Sequence, residues 1–204
     1  MGDSASVSKP VPGWGESLFL FGVATIGEFL ALAGWYWLRK DHPFLALLVL
    51  LFGFVVERYV VVHWLDVPKK VITPAGNLRA LWLVVAGVTI AEIIVWTVWV
   101  QLADAHEPWF AAAMLVVGIH LVHGYEVALL KHRELQPTWK DPGVVVLTAL
   151  EAGGGVWALW LAVGGRVVFP LVVLLGSLLI EHTLQVFALK KDAEAAMPQA
   201  VAAG

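Results

Sequence analysis

Residues 89–99 read TIAEIIVWTVW, an apolar run with one carboxylate, Glu92, near its centre. The nearest flanking charges are Arg79, 13 residues before Glu92, and Asp104, 12 residues after it. A run of this length can cross a hydrocarbon core of about 30 Å as a helix rising about 1.5 Å per residue. The stretch therefore predicts a membrane-spanning helix that carries an acid close to the bilayer centre.

The same length and polarity recur along the chain. Hydrophobic residues make up 60% of the sequence and charged residues only 14%, a balance that excludes an ordinary soluble domain. Apolar runs occur at about residues 16–38, 44–66, 80–102, 109–130, 143–163 and 167–189. We predict an all-α polytopic membrane protein with six transmembrane helices, whose partners are the lipid bilayer and a small molecule or ion, and no nucleic acid.

The segments outside the six helices indicate the orientation. Residues 1–15 form a short polar lead, and residues 190–204 form a tail of small and polar residues that we expect to be flexible. With six spans, the side that holds both termini carries nine Lys and Arg residues, and the opposite side carries three. Basic loops stay in the cytoplasm, so we predict a multi-pass cell-membrane protein with both termini cytoplasmic.

The odd-numbered helices share a motif. Each contains Thr-x-x-Glu followed by tryptophans, and the paired positions are Thr25/Glu28, Thr89/Glu92 and Thr148/Glu151. In the even-numbered helices a glycine stands four or five residues before Glu57, His123 and Glu181. The pattern predicts three pseudo-repeated antiparallel hairpins, at residues 16–66, 80–130 and 143–189, arranged around a pseudo-threefold axis. The six shared positions would then form a ring near the membrane midplane.

Carboxylates at this depth need compensation. Each charged residue at the bilayer centre costs at least about 2.5 kcal/mol on insertion scales, so the five glutamates of the ring should face the bundle interior. They cannot all be ionised together without a counter-charge. Arg58 is expected to neutralise a glutamate of another helix, because it is the one lysine or arginine within a span. Three arrangements satisfy this constraint.

The first arrangement is a metal centre. Carboxylates and imidazoles from facing helices are the ligands of four-helix di-iron bundles, although the Glu-x-x-His element of those bundles is missing here. The chain has no cysteine, so oxygen and nitrogen donors favour iron, manganese or zinc. The candidate ligands are Glu28, Glu57, Glu92, His120, His123, Glu151, Glu181 and His182, with Glu126 in reserve. A redox-active metal would predict an oxidoreductase acting on a lipid-soluble or small-gas substrate, but the sequence does not decide whether the protein is an enzyme.

The other two arrangements need no resident metal. In one, the midplane carboxylates carry protons or cations, metal ions included, through a channel or transporter, with the Thr-x-x-Glu threonines donating hydrogen bonds to the glutamates. In the other, the polar residues only hold the helices together. The tryptophans seven residues after two of the glutamates, Trp35 and Trp99, are expected to shield the polar cluster on its outer side.

Overall fold

Six long helices make up most of the part of the chain that the structure describes. The computed structural model describes residues 13–65, 78–104, 107–132, 134–163, 166 and 168–202. The helices are α1 (Trp14–Leu38), α2 (Pro43–Leu65), α3 (Leu78–Asp104), α4 (Pro108–Val127), α5 (Pro142–Val163) and α6 (Val168–Ala202). All six are long and apolar enough to cross a membrane. The prediction of an all-helical chain with six candidate spans is therefore confirmed.

The helices close into a ring. Each consecutive pair packs together, and α6 returns to pack against α1. The pairs α1–α2, α3–α4 and α5–α6 share the largest interfaces among the described residues. Because only a few residues join the two helices of each pair, they run antiparallel. That the three hairpins are internal repeats of one another stays a prediction.

Glycines set the close approach within each hairpin. A Cβ atom added at Gly53 would overlap Ala31 of α1, and one added at Gly118 would overlap Val95 of α3. A Cβ atom at Gly154 of α5 would likewise overlap Ser177 of α6. Small residues let membrane helices approach closely, where packing rather than the hydrophobic effect holds them together. These contacts fix how far each helix is rotated, and hence which side chains face the interior.

The interior has an apolar part and a polar part. The apolar cluster includes Trp35, Phe54, Trp96 and Trp99, all of them buried. It occupies the half of the bundle toward the connection at residues 39–42. Trp35 and Trp99 thus lie in the apolar layer on that side of the glutamates. The polar part lies next to this layer and contains the charged residues of the spans.

Several predicted boundaries can be compared with the structure. The last helix was expected to end near residue 189, but α6 continues to Ala202, so most of the predicted tail is helical. At the end of α4, residues Ala128–His132 form a π-helical turn that the sequence did not indicate. The lead at residues 1–12 and the loop at residues 66–77, with Lys69 and Lys70, lie outside the described residues.

Candidate metal centre

The six ring positions face the interior of the bundle. Their exposed fractions are between 1% and 3%, and the residues are Glu28, Glu57, Glu92, His123, Glu151 and Glu181. Two further ionisable side chains, His182 and Glu126, are buried beside them. An acid that faced lipid would be exposed on the bundle surface, so the burial of all six agrees with an inward-facing cluster.

The first group of potential ligands joins α4, α5 and α6. Nε2 of His123 lies 3.0 Å from Oε2 of Glu151 and 3.1 Å from Oε1 of Glu181. These three side chains each offer one ligand atom, and the three atoms lie within 4.8 Å of one another. Two ligand atoms that are each about 2.1 Å from one ion are themselves about 3.0–3.4 Å apart in octahedral to tetrahedral geometry. The two separations from Nε2 of His123 fall in this range, which also suits hydrogen bonds from a protonated imidazole.

The second group joins α1, α3 and α5. Glu28, Glu92 and Glu151 offer three carboxylate oxygens within 4.8 Å of one another. Glu151 belongs to both groups, so its carboxylate stands between two adjacent positions that each have three potential ligands. His182 lies beside the second group, with Nε2 3.5 Å from Oε2 of Glu28.

Threonine hydroxyls fix the orientation of the two histidines. The hydroxyl of Thr148 donates to the carbonyl of Val144 at 2.7 Å, and its oxygen lies 3.2 Å from Nδ1 of His123. The hydroxyl of Thr25 donates to the carbonyl of Phe21 at 2.7 Å, and its oxygen lies 2.6 Å from Nδ1 of His182. Because each hydroxyl proton is already used, the threonine oxygen accepts a hydrogen bond from the Nδ1–H group of the histidine.

This arrangement determines what Nε2 presents to the carboxylates. In a neutral imidazole with its proton on Nδ1, Nε2 carries a lone pair. For His123 that lone pair points toward the oxygens of Glu151 and Glu181, which also carry lone pairs. Such a contact is repulsive unless a proton or a metal ion lies between the atoms. A histidine held through its other nitrogen by a hydrogen bond is the usual arrangement of a metal-binding histidine.

Three carboxylate oxygens are buried without a hydrogen-bond partner in the described part of the chain. Among the described residues, Oε2 of Glu57, Oε1 of Glu151 and Oε2 of Glu181 are buried and make no hydrogen bond. Leaving a buried polar atom unpaired costs about 1–3 kcal/mol, and more when the group is charged. Two of these three are the second oxygens of Glu151 and Glu181, whose other oxygens face Nε2 of His123. The first group of potential ligands therefore has unused capacity to bind a cation.

Arg58 organises a separate part of the cluster. Its guanidinium lies 2.8 Å from Oε1 of Glu57 and 2.5 Å from Oε1 of Glu126, and it also bonds to Glu92. The expectation that Arg58 neutralises a glutamate of another helix agrees with its contacts to α3 and α4. Its contact to the adjacent Glu57 was not assured from the sequence, since neighbouring helical residues point about 100° apart.

The three Thr-x-x-Glu glutamates have basic partners from the preceding helix of the ring. Arg58 of α2 contacts Glu92 of α3, and His123 of α4 contacts Glu151 of α5. His182 of α6 contacts Glu28 of α1, which completes the circuit. One guanidinium and two imidazoles thus each contact the Thr-x-x-Glu glutamate of the next helix. The guanidinium carries a permanent charge, whereas the imidazoles can instead bind a metal.

The remaining predicted ligands lie outside the two groups. Glu57 is held by Arg58, and His120 is half-buried with Nδ1 3.3 Å from the hydroxyl oxygen of Thr148. Glu126 lies between the two parts of the cluster, with Oε2 3.5 Å from Nε2 of His123. His182 and Glu181 are adjacent in sequence but face different neighbours, as their angular separation on the helix predicts.

The threonines have a different role from the one expected. Their hydroxyls were expected to donate to the glutamates one turn away, but Thr25, Thr89 and Thr148 donate to backbone carbonyls four residues earlier. Serine and threonine within helices often bond in this way. The Thr-x-x-Glu motif indicated that these threonines and glutamates have a role. It did not indicate that histidines of other helices contact Thr25 and Thr148.

Comparisons with known proteins give no relative. No protein family, curated protein or solved structure matches this chain.

Proposed function

We propose that the bundle holds a metal centre of two ions bridged by the carboxylate of Glu151. The observation that carries the proposal is the pair of three-ligand groups that share this residue. His123 and Glu181 complete the position between α4, α5 and α6. Glu28 and Glu92 complete the other position, with His182 close enough to join through a small movement of its ring.

The charge of the cluster supports this proposal. Six buried carboxylates belong to Glu28, Glu57, Glu92, Glu126, Glu151 and Glu181. The guanidinium of Arg58 balances one of the six, which leaves five negative charges if the histidines are neutral and the acids ionised. Two divalent ions would leave the cluster with about one net negative charge. Without ions, several protons would have to be bound instead, because like charges this close cannot all persist in a medium of low dielectric constant.

The donor set favours iron, manganese or zinc. Four carboxylates and two imidazoles are also the ligands of the soluble di-iron and di-manganese bundles, where they likewise project inward from several helices. The likeness is one of donor types. In this chain the histidines are not three residues after a ligand glutamate, and Thr25 and Thr148 hold them. A redox-active metal in this position would suit oxidation or reduction of a lipid-soluble or small-gas substrate.

Elemental analysis tests the proposal. Protein purified in detergent without chelator should contain close to two equivalents of iron, manganese or zinc per chain, and an iron-containing sample should have an optical absorption that metal-free protein lacks. The control is the Glu151→Gln variant, purified in parallel from the same medium. A folded wild-type protein that carries no metal, and takes up none when supplied with these ions, would reject the proposal.

The ion-transport alternative predicts different behaviour. An ion path needs polar or hydrated surface toward both faces, whereas the layer next to the glutamates contains Trp35, Trp96 and Trp99 in a buried apolar cluster. We therefore expect wild-type protein in liposomes to pass neither protons nor divalent cations under a gradient. Flux that Glu92→Gln abolishes would favour transport over a fixed metal centre.

A further inference from the structure

A cavity lies on the side of the candidate metal centre that faces the connection at residues 39–42. Its volume is about 260 Å³, and α1, α3, α5 and α6 form its walls. Trp35, Trp96 and Trp99 contribute aromatic surface, and Ala158 of α5 leaves room on the opposite wall. An apolar cavity of about 150 Å³ can hold one benzene molecule, so this cavity has room for on the order of ten carbon atoms.

The inner end of the cavity is adjacent to the second group of ligands. Leu32, Trp96 and Gly155 line it, and each follows a glutamate of that group by four residues. Four residues of helix rise about 6 Å, so this end lies about one turn from Glu28, Glu92 and Glu151. The wall is closely packed at Gly155, because a Cβ atom there would lie 3.0 Å from Leu115 and 3.1 Å from the ring of Trp96.

The outer end of the cavity carries a positive charge. Arg166, in the connection between α5 and α6, lines the cavity and is exposed. Its guanidinium lies 5.7 Å from the ring centroid of Phe169, and within the described part of the chain it has no carboxylate partner. Trp37, which is 57% exposed, lines the same side. The cavity thus combines a long apolar interior with a cation at its entrance.

We propose that this cavity binds a medium-chain fatty acid, with the carboxylate at Arg166 and the chain extending toward the inner end. The chemistry is complementary at both ends, since the guanidinium suits a carboxylate and the aromatic walls suit methylene groups. The distance from Gly155 to the end of α5 at Val163 is about 12 Å along the helix axis. A bound chain would therefore place its terminal carbons about one helical turn from the glutamates.

An anionic phospholipid of the bilayer shares this chemistry, and the experiment separates the two sources. Wild-type protein is placed in nanodiscs of phosphatidylcholine, and equilibrium binding of radiolabelled decanoate is measured. We expect saturable binding of one molecule per chain, with decanol binding about fivefold more weakly because it lacks the charge. Displacement of decanoate by phosphatidic acid in the disc would assign the site to a membrane lipid and overturn the proposal.

Two pairs of variants locate the binding. Ala158→Phe fills the cavity and should weaken decanoate binding at least tenfold, whereas Ala149→Phe, on the exposed side of the same helix, should leave it unchanged. Arg166→Gln should weaken decanoate binding about fivefold and leave decanol binding unaffected, and Arg79→Gln should change neither. Undiminished decanoate binding in both Ala158→Phe and Arg166→Gln would overturn the proposal.

A separate measurement tests where the end of the fatty-acid chain lies in the cavity. Bromine quenches tryptophan fluorescence at short range, so 10-bromodecanoate should quench wild-type protein more than the Trp96→Phe variant. Equal quenching in the two proteins would contradict the proposed depth. Binding of the fatty acid does not require the metal, whereas any further role as a substrate of the metal centre rests on the proposed function. Metal content is therefore measured in the same samples, so that loss of either property is recognised separately.

Discussion

Oε2 of Glu151 lies 3.0 Å from Nε2 of His123, while Oε1 of the same carboxylate is buried without a hydrogen-bond partner among the described residues. One oxygen thus faces a histidine nitrogen from which it must be separated by a proton or a metal ion, and the other makes no hydrogen bond. The protein thus leaves one oxygen of this buried carboxylate without a hydrogen bond. A bridging role between two cations would use both of its oxygens, and four predictions follow from this view and from the packing around it.

Glu151→Gln should remove most of the bound metal. The amide is neutral and bridges two cations poorly, so both ions lose a ligand in one substitution. We expect metal content to fall from about two equivalents to well under one. Glu57→Gln is the matched control, because Glu57 is equally buried but lies outside both ligand groups. Equal loss of metal in the two variants would argue that the ligand groups are wrongly assigned.

Thr148→Val should weaken metal binding through His123. The substitution keeps the shape of the side chain but removes the oxygen that accepts the Nδ1–H hydrogen bond. Loss of such a supporting contact typically costs 10- to 100-fold in metal affinity. Competition with a chelator measures the change, and Thr148→Ser should restore most of it.

Thr89→Val serves as the control for that experiment. Its hydroxyl also donates to a backbone carbonyl, that of Val85, but no histidine contact to it is observed within the described ranges. The affinity should stay within about threefold of wild type. A comparable loss in Thr89→Val would indicate a general packing effect rather than an effect on the histidine.

Arg58→Gln should destabilise the folded bundle. The guanidinium contacts Glu57, Glu92 and Glu126, and its removal leaves these buried carboxylates without their permanent counter-charge. Removing one partner of a buried ion pair typically costs about 3–5 kcal/mol. Denaturation in detergent should show this loss in the free energy of unfolding.

Lys131→Gln provides the comparison for Arg58. Its ion pair with Asp141, at 3.0 Å, is partly exposed, so we expect a change of less than about 1 kcal/mol. If Arg58→Gln were no more destabilising than Lys131→Gln, the carboxylates around Arg58 would have to be protonated in the native protein.

Gly53→Ala should disturb the first hairpin. The added Cβ atom would overlap Ala31, so α1 and α2 would have to separate at a cost of about 1–3 kcal/mol. Gly87→Ala is the matched control, because nothing lies within 4 Å of a Cβ atom there. That variant should be neutral or slightly stabilising, since alanine favours helix over glycine. Thermal unfolding in detergent compares the two, and equal melting temperatures would contradict this account of the interface.

Much of the architecture could be predicted from the sequence. The starts and ends of five helices agree with the predicted runs to within about three residues, because hydrophobic length alone specifies a membrane span. The burial of Glu28, Glu92 and Glu151 could also be predicted, since a carboxylate facing lipid is too costly. Span length and the burial of an acid are properties of each segment alone, so they can be predicted from its residues.

The arrangement of the cluster could not be predicted in the same way. An acid indicates which side of its span turns inward, but the side chains that it meets there depend on the exact rotation and tilt of several helices. Glu57 and Glu181 occupy matching positions in the sequence pattern, yet one is held by Arg58 and the other belongs to a ligand group with His123. The contacts of Thr25 and Thr148 with histidines of other helices depend on the same rotations.

The sequence by itself determined that six helices are apolar enough to span a bilayer and that their acids belong in a common interior. Only the tertiary structure decided that Glu151 stands between two groups of ligands and that an apolar cavity ends one turn away from it. The reason is physical. Burial of a charge is governed by the solvent around each helix, whereas the distance between two side chains is governed by close packing, including the approach of α2 to α1 at Gly53.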